Sequence, residues 1–157
     1  MSTVTTWETF SRKPEDTEAL AANLAPFLRG GETIELKSDL GGGKTTFVRG
    51  LVQALGSTDT VASPTFMISK EYASPNFRIV HFDFYRLQEA GDIREALLEA
   101  ALDDKTVCII EWGDILDDVL PKNRTIIKIE RVPTGEDERL ITIATPQAYL
   151  LEGVRHD

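Results

Sequence analysis

Three glycines run into a lysine and two threonines in SDLGGGKTT, residues 38–46. These residue types at this spacing can cradle phosphate. Glycines 41–43 allow close backbone approach and let consecutive N–H groups turn inward. A helix starting at Lys44 would add the positive end of its dipole. Lys44 would reach the β- and γ-phosphate oxygens, and the Thr45 hydroxyl would ligate Mg²⁺. Thr46 would add a hydroxyl or amide near the α-phosphate. Asp39, Leu40, Gly41, Gly42 and Gly43 make up the rest of the loop. The phosphate-loop pattern G-x-x-x-x-G-K-[ST] asks for glycine where Ser38 stands. That departure costs little if φ is negative there, and about 1 kcal/mol or somewhat more if φ must be positive. It removes no phosphate donor, because the cradling amides lie later. The competing reading is a Gly-rich turn with a chance GKTT.

Hydrolysis also needs an acid for Mg²⁺ and a group that places water. Two strand-like segments end in acids. In FRIVHFDFYRL (77–87), alternation puts Val80, Phe82 and Phe84 on one face and His81, Asp83 and Tyr85 on the other. In TVCIIEWGD (106–114), Glu111 ends an apolar strand, the usual place for a ligand-facing acid in an open α/β sheet. Each acid has an alternative as a solvated carboxylate at a strand end. SPTF (63–66) stands where γ-phosphate-sensing segments lie, which makes Thr65 a candidate beside the reading of a plain Ser-Pro turn. His81 is either a hydrogen-bonded structural histidine or a contact to phosphate or water. Trp112 is either core or a nucleotide-side aromatic.

The elements that must position these residues follow from periodicity. PEDTEALAANLAPFLR (14–29) reads as a helix capped by Asp16 or Thr17 and ended by Gly30 and Gly31. ETIELK (32–37) is a strand with Ile34 and Leu36 inward. KTTFVRGLVQALG (44–56) is a helix stopped by Gly56. FMISKEY (66–72) and 77–87 form a hairpin-like pair around ASPN. GDIREALLEAALDD (91–104) is a helix capped by Asp92, and DILDDVL (114–120) a short one. KTVCIIEWGD is a strand buried on both faces. RTIIKIERV and RLITIATP alternate as two more strands, and PQAYLLEGV closes with a helical turn. The order predicts α/β architecture: a P-loop NTPase-like three-layer sandwich with a mixed, mainly parallel sheet and a strand-rich C-terminal part. It predicts one domain over residues 1–157, with a tail, 153–157, that frays.

Composition narrows the setting. The 157 residues are 41% apolar and 27% charged, ordinary for a globular domain. No apolar run approaches the roughly 20 residues of a membrane span, and the N-terminus lacks the charge and hydropathy pattern of a secretory signal. The single cysteine, Cys108, lies in an apolar run and reads as a buried, inert thiol. A cytoplasmic location fits. A net charge of −9 makes the chain a poor non-specific binder of nucleic acid. No DNA partner is expected, and any nucleic-acid contact would come through a partner or a local patch.

DLGGGKTTF, SPTF, HFDFYRL and IEWGD, in this order and spacing, resemble the TsaE (YjeE) family of small bacterial P-loop ATPases over most of the chain. The resemblance implies an ATP- and Mg²⁺-dependent factor needed for threonylcarbamoyladenosine, the modified adenosine beside the anticodon of certain tRNAs. It implies action with the partner proteins TsaD and TsaB, which would make the main tRNA contacts. By motif, it assigns Lys44 to phosphates, Thr45 and Asp83 to Mg²⁺, and Glu111 to Mg²⁺ or the attacking water. Trp112 becomes the companion of that glutamate, and Thr65 part of a switch-like segment. Thr17 would match a threonine near the base pocket, and Arg139 an arginine near the last strand. The chain departs from the family at Ser38 (usually Gly), Gly42 (usually Ala) and Gly113 (often Pro). A small-molecule kinase and a nucleotide-dependent scaffold are the alternatives. The GTPase motif N-K-x-D is absent from the sequence, which favours adenine.

Overall fold

The computed structural model describes residues 3–38, 43–61, 69–83, 103–111, 117–118 and 120–154. The strands are β1 (Thr5–Ser11), β2 (Thr33–Ser38), β3 (Ser69–Ala73), β4 (Arg78–Asp83), β5 (Thr106–Glu111), β6 (Thr125–Arg131) and β7 (Arg139–Thr145). They form one seven-stranded sheet in the order β1-β7-β6-β2-β5-β4-β3. β4, β5, β2 and β6 run parallel at the centre. β3, β7 and β1 join by antiparallel pairing. The expected α/β architecture with a mixed sheet therefore forms.

Hydrophobic pattern explains the order. Every residue of β5 is buried, as its continuous apolar run requires of a central strand. β6 buries every second residue from Thr125 to Ile129, and β7 from Ile141 to Thr145, with half-buried or exposed residues between them. Helices α1 (Pro14–Leu24) and α2 (Lys44–Ala54) pack on each other over one face of the sheet. Leu20, Ala21 and Leu24 of α1 and Phe47, Val48, Leu51 and Val52 of α2 meet Ile34, Leu36, Ile79, Val107, Ile109, Ile127 and Ile129 there. Each such large side chain removed from water contributes about 1.5–3 kcal/mol. At Gly50 the two helices come so close that a Cβ would stand 2.5 Å from the Glu18 carbonyl oxygen. The opposite face is buried as well, at Val80, Phe82, Cys108 and Ile110.

Three expectations need correction. β1 was not anticipated, because its aromatics Trp7 and Phe10 stand three residues apart and break the two-residue alternation of a strand. The first helix starts at Pro14 as its span predicts, but it is not capped by Asp16 or Thr17, and it stops sooner. Lys13 is the cap, Pro14 takes the first turn, and α1 ends at Leu24. A 3-10 turn, Ala25–Phe27, then carries Pro26, which has no N–H to continue the α-helical ladder. Glu35 was expected outward, opposite Ile34 and Leu36, yet it is only 1% exposed, held by Arg124 at 2.8 Å. At the C-terminal end Val154 is buried, and residues 155–157 of the predicted tail lie outside the described residues. The predicted helices at 91–104 and 114–120 fall wholly or largely outside the described residues. Among the described residues no helix is long and apolar enough to cross a membrane.

Candidate functional site

Asp39, Leu40, Gly41, Gly42, Thr65 and Trp112 lie outside the described residues. The two ends of the phosphate-loop segment are described. Ser38 is the last residue of β2 and pairs with Ile129 of β6. Strand backbone is extended with negative φ, so serine sits there without strain. The left-handed position is Gly43, with φ 112° and ψ 11°, at the start of α2. A Cβ on Gly43 would meet Ile129 Cγ2 at an ordinary 3.7 Å, so the dihedral rather than space calls for glycine.

Lys44, 8% exposed, reaches back from α2 and donates through Nζ to the Ser38 carbonyl at 3.3 Å. That bond ties the two ends of the loop together. A helix start has first-turn N–H groups with no intrahelical acceptor, and no side chain among the described residues caps α2. Thr45 and Thr46 follow in that first turn, both half-buried.

The acids stand beside this turn. Asp83 of β4 and Glu111 of β5 are paired in register, and Glu111 is also in register with Leu36 of β2. Both therefore lie at the C-terminal ends of parallel strands, on the edge where β2 releases into the loop. Alternation puts them on the α2 face, with Ile79 and Ile109 beneath them in the core. Asp83 is half-buried and Glu111 only 2% exposed. Glu111 Oε2 lies 2.5 Å from Nε2 of His81, which is fully buried. The sequence left His81 open, and the structure makes it the partner of an acid.

A second group of residues lies on the other side of the Gly43 turn. Thr17 of α1 and Arg139 of β7 line a cavity of about 110 Å³ together with Pro14, Gly43, Thr46 and Asp137. Arg139 Nη1 donates to the carbonyls of Glu136 and Glu138, at 2.8 and 2.9 Å, which anchors its guanidinium to its own turn. β1 supports this cavity. Its last residue, Ser11, pairs in register with Arg139. The Ser11 hydroxyl donates to the Lys13 carbonyl at 2.9 Å and meets Thr17 Oγ1 at 2.7 Å. With the single Ser11 proton used on Lys13, the Thr17 hydroxyl donates to Ser11 and offers only lone pairs to a ligand.

Sequence reasoning did not find Ser11 or Asp137. The richness of residues 5–11 in threonine and aromatics was the available signal for β1, and so for Ser11. Asp137 lies in a turn with no pattern to mark it.

The donors fit a hard cation. Asp83, Glu111 and the Thr45 hydroxyl offer oxygen alone, and Mg²⁺ characteristically takes one or two carboxylates and completes its shell with phosphate and water. Among the described residues no set of three or more His, Cys, Asp or Glu side chains gathers as a protein-only metal cage.

Known proteins resemble this chain in sequence and in fold. The model of the family "Threonylcarbamoyl adenosine biosynthesis protein TsaE" matches residues 11–141. The tRNA threonylcarbamoyladenosine biosynthesis protein TsaE of Bacillus subtilis is 39% identical over 136 residues, covering 87% of this chain and 82% of that protein. The protein of the same name from Streptomyces coelicolor is 37% identical over 129 residues, covering 79% and 86%. The crystal structure of Bacillus subtilis YdiB superposes with a TM-score of 0.76 at 32% identity, covering 96% of this chain and 93% of that one. The strand-to-helix turn and the acids in register beside it are thus set in a P-loop NTPase-like fold, and the chain belongs to the TsaE family.

Proposed function

We propose that this chain, as one domain, binds ATP with Mg²⁺ and hydrolyses it in support of threonylcarbamoyladenosine formation on tRNA. The observation that carries the reading is the register of Asp83 with Glu111 on the strands beside the Ser38–Lys44 turn. Lys44 and the N-terminus of α2 hold the β- and γ-phosphates. Thr45 and Asp83 hold the metal, which, when bound, neutralises charge on the phosphates and draws electron density from the γ-phosphorus. Glu111 orients a water for in-line attack and takes its proton, while the bond from the γ-phosphorus to the bridging oxygen breaks and its electrons leave with ADP. Thr65 in SPTF senses the γ-phosphate, and Trp112 flanks Glu111.

The base sits by Thr17 and Arg139. A Thr17 that can only accept matches the exocyclic amino group of adenine and not the carbonyl of guanine. The companions are TsaD and TsaB in the cytoplasm. A net charge of −9 leaves most tRNA contact to them.

Phosphate release from ATP, measured with and without TsaD and TsaB and with no other acceptor, tests the reading. Hydrolysis that Lys44→Ala abolishes supports it. Phosphate transfer only to an added small acceptor points to a kinase. Modification that survives Glu111→Ala points to a scaffold.

A further inference from the structure

We propose that His81 is a positioning residue: it ties one oxygen of Glu111 so that this carboxylate serves the attacking water, leaving the metal to Asp83 and Thr45. The inference rests on the ATPase reading above. His81 and Glu111 stand on neighbouring strands, and their side chains are 1% and 3% exposed, so neither can satisfy its partner's role with solvent. Nε2 lies 2.5 Å from Oε2, while Nδ1 is buried with no hydrogen-bond partner among the described residues. A buried N–H without an acceptor costs more than a bare lone pair facing apolar neighbours. The proton therefore belongs on Nε2, which donates to Glu111.

The ring itself is held. It stacks against Tyr72, a fully buried residue, at 6.4 Å between centroids and 28° between planes. His81 is also fixed by its place in β4, paired with Lys70 on one side and Ile109 on the other. The bond to a fixed donor takes one lone pair of Oε2 and sets the carboxylate's orientation, which disfavours chelation of a metal through both oxygens. Glu111 keeps Oε1 for a single directed task. Asp83, in register with it but half-buried, is the acid placed to meet a hydrated metal and phosphate. Two acids that look equivalent in the sequence are thus given different tasks by what holds them.

His81→Leu removes the donor and keeps an apolar filling, and His81→Gln keeps an N–H in reach. In the presence of TsaD and TsaB, His81→Leu should lower kcat for ATP hydrolysis about 10- to 100-fold, the usual cost of losing a residue that orients a ligand or base. The Kd for Mg·ATP, read with a fluorescent analogue on the chain alone, should stay unchanged, and His81→Gln should restore part of kcat. A second readout needs neither metal nor nucleotide. The chain has two histidines, so imidazole ¹H–¹⁵N spectra with His156→Gln assign His81 directly. They should report Nε2 protonated and Nδ1 bare, and Glu111→Gln should shift Nε2. Unchanged kcat in folded His81→Leu, a loss wholly in Kd, or the Nδ1–H tautomer overturns the positioning role. Should His81→Leu fail to fold, His81→Gln and the spectra still decide. Wild-type hydrolysis by Glu111→Gln would overturn the ATPase site itself. An inactive Glu111→Gln beside fully active His81 variants overturns only this inference.

Discussion

Glu35 and Glu111 are both buried glutamates on the two central strands of the sheet, 1% and 2% exposed, and they face opposite sides of it. Their surroundings differ in kind. Glu35 is held by Arg124, which also donates to the Pro121 carbonyl at 3.1 Å and pairs with Asp117. Burial alone would lower the Arg124 pKa, but the bonds to Glu35 and Asp117 more than offset it and leave it raised. The guanidinium is a permanent charge with several anchors. Among the described residues Glu111 bonds through its side chain to His81, a neutral-capable partner whose second nitrogen bonds nothing there. A carboxylate enclosed by a fixed cation is part of the framework. A carboxylate held by one oxygen at a strand end keeps the other for chemistry.

The sharpest way to break this contrast is to exchange the two effects. Glu111→Gln should cut ATP turnover by about 10²–10⁴-fold, the range of general-base catalysis, and leave the thermal midpoint near wild type. Arg124→Ala should do the reverse. It strands the Glu35 charge in the interior and should cost about 3–5 kcal/mol of stability, while kcat per folded molecule is kept. Denaturant titration and steady-state hydrolysis on both variants decide the matter. A catalytic loss in Arg124→Ala, or an unfolded Glu111→Gln, would dissolve the distinction.

Glu32 gives a smaller, graded case. It is 1% exposed and accepts from the N–H groups of Arg29 and Gly30, at 2.7 and 2.8 Å, and from the Tyr149 hydroxyl at 2.8 Å. Tyr149→Phe removes one donor of three and keeps a ring beneath the Arg29 guanidinium, 3.8 Å away. The expected cost is about 1 kcal/mol. The same residue predicts a pH effect. Burial, reinforced by the bond to Glu32, raises the Tyr149 pKa from 10.0. Burial pushes the Cys108 thiol from 9.0 up to about 12. The unfolded chain gives up both protons first, so the folded state binds more protons above pH 9 and stability should fall as pH rises from there. Unfolding free energies across that range check the slope, and Tyr149→Phe should flatten the part that begins near 10.

How much of this could be read from the chain depended on whether the cause was local. The strand and helix that flank the glycine loop were legible because they are adjacent in sequence. Asp83 and Glu111 were legible as strand ends, because period-two alternation assigns a face without tertiary information. Their register was not, since it follows from which strands become neighbours. Glu35 was misread for the same reason: alternation marks a polar residue as outward, and only the fold supplies Arg124, 89 positions away. Thr17 and Arg139 came from family resemblance, and the structure places both at one cavity. β1, which joins them, was hidden by a broken alternation, and the His81–Glu111 bond by 30 residues of separation.

Ser38 offers the smallest expected effect and a clean test of the turn. The residue belongs to β2 and pairs with Ile129. If the extended backbone suits serine, Ser38→Gly relieves no strain. It only frees the unfolded chain and weakens the strand, at about 0.5–1 kcal/mol. Phosphate binding should not change, because the left-handed turn is supplied by Gly43. Gly43→Ala is the control, since a side chain at φ 112° is strained and should weaken both stability and nucleotide affinity. A Ser38→Gly variant that is more stable, or binds nucleotide more tightly, would show that the loop strains its first residue. Equal affinity with slightly lower stability is expected, and it would locate the demand for glycine at the helix end of the loop rather than the strand end.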